Sequence, residues 1–126
     1  MSTEPATGQP LLFCTSHGED EPERATVPFI AATVAAISGQ KAVVVCTIDA
    51  VWVGTPGVAE RIESEGQPAL VDLVRQFLDA GGEIWLCSAC TNKRGITGDD
   101  TIEGATIVGA ARIVEALTTG KAITLG

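Results

Sequence analysis

Cys87-Ser88-Ala89-Cys90 sets two thiols three residues apart, the one short stretch of the sequence with a chemistry of its own. Where such a pair opens a helix, the unpaired backbone N–H groups of the first turn favour a thiolate on the first cysteine. Lys93 and Arg94 act in the same direction. The second thiol can then resolve a mixed disulfide or a persulfide formed on the first. The pair also has a plain reading, because cysteine packs well as a small apolar residue and both thiols could fill core space. As zinc ligands the two would need distant partners. The chain offers one histidine, His17, besides Cys14 and Cys46, so neither a metal nor a cofactor is assigned.

Other candidates stand where predicted strands end. Ser16 and His17 follow the first, and an imidazole there could exchange a proton with Cys87 or simply occupy a loop. Asp49 follows the second and could orient a donor, bind a polar ligand or cap the next segment. Trp52 could line a pocket mouth, pack in the core or meet another subunit. Asn92 and Arg94 shape the loop after the cysteine pair. Cys14 and Cys46 lie among apolar neighbours and read as packing residues. A thioredoxin-type disulfide reductase is disfavoured, since the pair follows a strand well past the middle of the chain and no proline faces it convincingly. GxxxxGK[ST], the phosphate-binding loop, is absent.

The elements that must position these groups alternate. Residues 10–16 turn from apolar to polar, as a buried strand does when it delivers its last side chains to a loop. Residues 24–38 read as a helix apolar on several faces, with Pro28 near its beginning. Such a helix must be buried on more than one side, under the sheet or against another subunit. Lys41–Ile48 is the clearest strand, its β-branched run suiting a central parallel position. Residues 50–66 read as either a short helix or an irregular loop. Residues 68–80 carry a helical stripe of Leu70, Val71, Val74, Phe77 and Leu78. Strands follow at Glu83–Cys87, Thr106–Val108 and Ala122–Leu125, with a helix over Ala110–Thr118. The alternation predicts an α/β domain with a mostly parallel, five-stranded sheet covered on both faces. The strand-end groups then gather along one rim, where open α/β sheets place ligands.

Composition sets the outer bounds. The 126 residues are 45% hydrophobic, enough for one core and too few for two. Residues 1–9 read as a flexible N-terminal tail and residues 10–126 as a single domain. Lys and Arg number 8 against 16 Asp and Glu, a net charge of -8, which argues against nucleic acid as a partner. No run of about 18 apolar residues could span a membrane, and the first residues lack the pattern of a signal peptide. With reduced thiols, the expected location is cytoplasmic.

One resemblance runs through most of the chain. Thr15-Ser16 after the first strand, Pro22-Glu23-Arg24-Ala25 opening a helix, and Asp49-Ala50-Val51-Trp52 after the second strand form its first half. The most specific stretch is Gly82-Glu83-Ile84-Trp85-Leu86-Cys87-Ser88-Ala89-Cys90, continued by Lys93-Arg94-Gly95-Ile96. Ile102-Glu103-Gly104-Ala105 then leads into Ile107-Val108-Gly109-Ala110-Ala111. In order and spacing these resemble the DsrE/DsrF-like family of small sulfur-relay-associated proteins, related to the YchN-like proteins, over roughly residues 10–125. The resemblance implies a three-layer α/β/α domain that assembles as a homotrimer or homohexamer, or as a mixed hexamer. It also implies a cysteine at the end of the third strand, here Cys87, that accepts persulfide sulfur and passes it between donor and acceptor proteins. Cys90 is an additional thiol that the best understood carriers lack. It points to resolution of a Cys87 persulfide, a sulfur reductase or redox sensor in place of a durable carrier. A competing reading is an oligomeric small-ligand or protein-binding domain whose rim uses His17, Asp49 and Trp52, without catalysis. A third is that assembly is itself the main role.

Overall fold

The structure is a computed structural model that describes residues 9–125; the expected tail at 1–9 therefore lies almost wholly outside the described residues. Five strands, β1 (Leu11–Thr15), β2 (Ala42–Cys46), β3 (Glu83–Cys87), β4 (Ala105–Val108) and β5 (Lys121–Thr124), form one sheet in the order β4-β3-β2-β1-β5. All four pairings are parallel. Four helices, α1 (Pro22–Ile37), α2 (Leu70–Asp79), α3 (Ser88–Lys93) and α4 (Ala110–Leu117), connect them.

Handedness distributes these helices. Right-handed crossovers that step in one direction across a sheet leave their helices on one face, and a crossover that reverses direction leaves its helix on the other. The steps β1 to β2 and β2 to β3 run the same way, so α1 and α2 lie together. The return from β4 to β5 places α4 opposite. Two clusters of buried residues record this. Phe13, Val44, Cys46, Ile84 and Leu86 pack with α1 and α2 residues such as Phe29 and Phe77. Leu12, Val43, Val45 and Trp85 pack with Ile113 and Ala116 of α4. Phe29 and Phe77 meet edge to face, 6.0 Å between centroids, tying α1 to α2. The result is a three-layer α/β/α domain.

β2 is buried at all five positions, as its unbroken apolar run requires of a strand covered on both faces. On α2, Leu70, Val74 and Phe77 are buried, and Val71 and Leu78 pack against the same cluster. α1 begins at Pro22, two residues before the expected start, so Pro28 falls inside the helix and not in its first turn. Its ring is buried, and the carbonyl of Arg24 receives no helical N–H from it. Only part of α1 is covered: Val34 and Ile37 in its last turn are 62% and 66% exposed. The ambiguous residues 50–66 resolve into two 3-10 segments, Ile48–Gly54 and Ala59–Arg61. No described helix is long and apolar enough to cross a membrane.

Candidate functional site

Register brings the strand ends into line. Thr15 pairs with Cys46, Cys46 with Leu86, and Cys87 closes β3 opposite Val108. Cys87 is both the last residue of β3 and the N-cap of α3. The backbone therefore stops serving the sheet ladder at Cys87, and the next N–H groups have no carbonyl four residues back. They turn to the Cys87 sulfur. Partial burial is the largest single influence on this thiol and pushes it up. The backbone N–H of Cys90, the Cys90 thiol and the backbone N–H of Ala89 together outweigh burial and leave Cys87 below the ordinary thiol range.

Cys90 is held from two directions. Its Sγ accepts the Ile48 N–H at 3.1 Å. Its carbonyl accepts Arg94 Nη1 at 3.2 Å. Arg94 also donates to Asp49 Oδ1 through Nε at 3.3 Å and Nη2 at 3.0 Å. The Arg94 side chain is only 16% exposed, and the ion pair and the Cys90 carbonyl are the partners of its guanidinium. Arg94 thus acts on Cys90 and Asp49, and the charge that the sequence aims at the Cys87 thiolate is spent there.

Asp49 and Trp52 both belong to the seven-residue 3-10 segment Ile48–Gly54, a length unusual for this helix type. It is clamped at two glycines. A side chain on Gly18 would sit 2.7 Å from the Asp49 carbonyl oxygen, and one on Gly54 would sit 2.6 Å from Leu86 Cδ1. The loop after β1 and the core strand β3 thus approach the segment more closely than any Cβ allows. Trp52, 37% exposed, lines an open recess of about 410 Å³ with Arg94, Ile96, Asp99 and Asp100. A further recess, about 200 Å³ and lined by Pro10, Lys41, Trp85 and Arg112, lies at the amino ends of β1 and β2, away from the cysteine pair.

The remaining candidates separate. His17 Nδ1 lies 2.8 Å from Asp20 Oδ2, which with the Gly18 N–H on Asp20 Oδ1 at 2.7 Å closes a small loop motif. The described contact of His17 is with Asp20 and not with the Cys87 sulfur. Ser16 is half-buried in the same loop, and Asn92 is exposed on α3. Cys46 is fully buried, which pushes its thiol up to about 12, and burial also raises Cys14. Among the described residues, no group of three His, Cys, Asp or Glu side chains converges as metal ligands do.

The sequence places Ile48 at the end of the second strand, but β2 stops at Cys46 and Ile48 opens the 3-10 segment instead. It is a β-branched residue at φ 52, a conformation that favours glycine and asparagine. No sequence signal marks it, since isoleucine is among the last residues a left-handed turn would suggest.

Fold and rim together define a small parallel α/β protein with a thiol pair where the third strand passes into a short helix. The chain belongs to the DsrE/DsrF-like family, whose sequence model matches residues 9–125. It is 30% identical over 100 residues to the uncharacterised protein MJ0760 of Methanocaldococcus jannaschii, a match covering 79% of this chain and 36% of that protein. The chain thus spans little more than a third of the length of that curated relative. The fold is similar to the crystal structure of the ychN protein from E. coli, with TM-score 0.75 and 18% identity over 92% of this chain and 98% of the other. It is also similar to MTH1491 from Methanobacterium thermoautotrophicum, a protein of unknown function, with TM-score 0.69 and 22% identity over the same shares of each chain.

Proposed function

We propose that this protein handles persulfide sulfur, with Cys87 as the accepting thiolate and Cys90 as the resolving thiol. The observation that carries this reading is the placing of Cys87 at the end of β3 as N-cap of α3, with Cys90 in the first turn of that helix; the lowered Cys87 thiol agrees with it. Membership of a family associated with sulfur relay supports it. Cys87 attacks the outer sulfur of a donor persulfide. A new S–S bond forms, the donor's S–S bond breaks, and the donor leaves as a thiolate. Cys87 then carries the sulfane sulfur. Transfer to an acceptor thiolate returns Cys87 unchanged. Alternatively, the Cys90 sulfur attacks Cys87 Sγ, a disulfide forms and hydrosulfide leaves, after which an external thiol reductant must reopen the pair.

Intact-mass measurement after mixing reduced protein with a low-molecular-weight persulfide tests this directly. Wild type gains about 32 Da; Cys87→Ser does not, and in Cys90→Ser the adduct outlives that of wild type. Absence of any adduct under conditions that load a control sulfurtransferase would sink the reading.

A second reading, a binding domain without catalysis, rests on the recess between Trp52 and Arg94. Ligand binding lost in Asp49→Ala or Trp52→Ala and retained in Cys87→Ser would favour it. Under either reading, the proposed state is a homotrimer or homohexamer, with the exposed Val34 and Ile37 available for subunit contact and a sulfur donor or acceptor protein as partner. Sedimentation at micromolar concentration checks the assembly; a monomer there rejects it. The proposed location is the cytoplasm.

A further inference from the structure

Ile48 is the only described residue other than glycine with a left-handed backbone. Its side chain is 51% exposed, so packing does not explain the conformation. A β-branched residue in this region is strained and persists only when its surroundings hold it there. The neighbours on both sides are fixed. Thr47 N–H bonds the Thr15 carbonyl at 3.0 Å and Ala50 N–H bonds the Thr47 carbonyl at 3.0 Å. Asp49 is held by Arg94. Between those anchors the chain turns sharply, and the turn leaves the Ile48 N–H facing Cys90 Sγ at 3.1 Å.

We infer that the Ile48 backbone amide is a positioning group for Cys90, and that the left-handed turn exists to aim it. The inference rests on the persulfide reading for its purpose. Its geometry stands apart from that reading. A thiol sulfur that accepts an N–H through a lone pair directs its own S–H elsewhere, which leaves the Cys90 S–H free to act on Cys87 three residues earlier. Arg94 fixes the Cys90 carbonyl and Ile48 fixes its sulfur, so the residue is oriented at both ends.

In the resolving step, Cys90 loses its proton to solvent and its sulfur attacks Cys87 Sγ. The bond from Cys87 to the outer sulfur breaks, and the outer sulfur departs with the electron pair as hydrosulfide. One persulfide and one thiol become one disulfide and one hydrogen sulfide; the two electrons come from the thiol pair. The Ile48 N–H holds the Cys90 sulfur in place up to the point of attack. Closing a disulfide brings the sulfurs to about 2.05 Å, so Cys90 Sγ moves towards Cys87 and the amide loses its acceptor.

Two measurements test the assignment. First, Ile48→Pro removes the N–H and the left-handed turn, whereas Ile48→Gly keeps the N–H and tolerates the turn. Persulfide on Cys87 outlives that of wild type by about tenfold or more in Ile48→Pro and returns towards wild type in Ile48→Gly. If the persulfide does not load, closure of the Cys87–Cys90 disulfide by a small disulfide reagent gives the same comparison. Second, amide exchange is followed by NMR in chains that retain Ile48, a readout independent of whether the proline variant folds. The Ile48 amide exchanges about tenfold faster in Cys90→Ala than in reduced wild type, while the Ala50 amide is unchanged. Equal protection of Ile48 in both chains overturns the inference, as does a wild-type rate of persulfide loss or disulfide closure in a folded Ile48→Pro. Faster exchange without any persulfide loading leaves the positioning role standing and removes the sulfur-handling reading alone.

Discussion

Cys46 and Cys87 both end a strand of one sheet, and their thiols are driven in opposite directions. Cys46 closes β2 on the face covered by α1 and α2, fully buried, and its thiol is pushed up to about 12. Cys87 closes β3 at the rim and lies below the ordinary range. Residue type and strand position are shared. What differs is burial, complete at Cys46 and partial at Cys87, and the backbone that follows. After Cys46 the chain runs through Thr47, whose N–H goes to the β1 carbonyl of Thr15, and no donor is left for the sulfur. After Cys87 the chain turns straight into α3, whose first N–H groups have no other acceptor. The lowered thiol here follows from unclaimed backbone donors together with the Cys90 thiol, with no cation among its causes.

The largest expected effect is on alkylation. With iodoacetamide at neutral pH, Cys87 reacts on the order of 10²-fold or more faster than Cys46, which is both fully buried and far less ionised. Peptide mapping after a timed quench reads the two sites separately, and comparable labelling in the folded chain would break the contrast. Stability runs the other way. Cys46→Ala costs about 1–2 kcal/mol by urea unfolding because it leaves a gap in a closed cluster. Cys87→Ala, at the rim, stays within about 0.5 kcal/mol.

Much of the fold was legible because its cause is local. The β-branched run of β2, the stripe on α2 and the glycine-bounded strands carry their own periodicity, and alternation with handedness then sets the layers. The rim was legible in the same way, as a consequence of strand ends in a parallel sheet. The partnerships within it were not. His17 has Asp20 three residues away, and a local loop contact outcompetes a distant thiol. Arg94 reaches Asp49 across 45 positions of sequence, which no spacing rule announces. The Ile48–Gly54 segment was ambiguous for a physical reason: it is shaped by Gly18 and Leu86 pressing on it, and its own residues have no strong preference.

The Arg94–Asp49 contact sharpens the comparison at smaller scale. Arg94→Ala leaves the Asp49 carboxylate and the Cys90 carbonyl without their shared donor. Asp49 is 43% exposed, so solvent screening limits the loss of unfolding free energy to about 1 kcal/mol. Cys90 is freed at its carbonyl, and in a Cys87→Ser background its alkylation rate changes severalfold. A rate and an unfolding midpoint both unmoved by Arg94→Ala would mean that the Ile48 amide alone orients Cys90.

The smallest effect is also the most direct test of how Cys87 is activated. Its folded-state pKa is lowered, so the native chain releases this proton at a lower pH than the unfolded chain does. The stabilisation linked to Cys87 is therefore fully present above the unfolded thiol value of about 8.5 and is lost as pH falls through the folded value. Relative to Cys87→Ala, the urea midpoint of wild type rises with pH across that window. Cys90→Ala removes the S–H donor and keeps the N–H groups of positions 89 and 90. The Cys87 inflection in the alkylation profile then moves upward, and the window narrows. An inflection unchanged by Cys90→Ala would assign the whole effect to the backbone donors. An inflection at the ordinary value already in wild type would mean that partial burial cancels every donor, and the distinction from Cys46 would shrink to exposure alone.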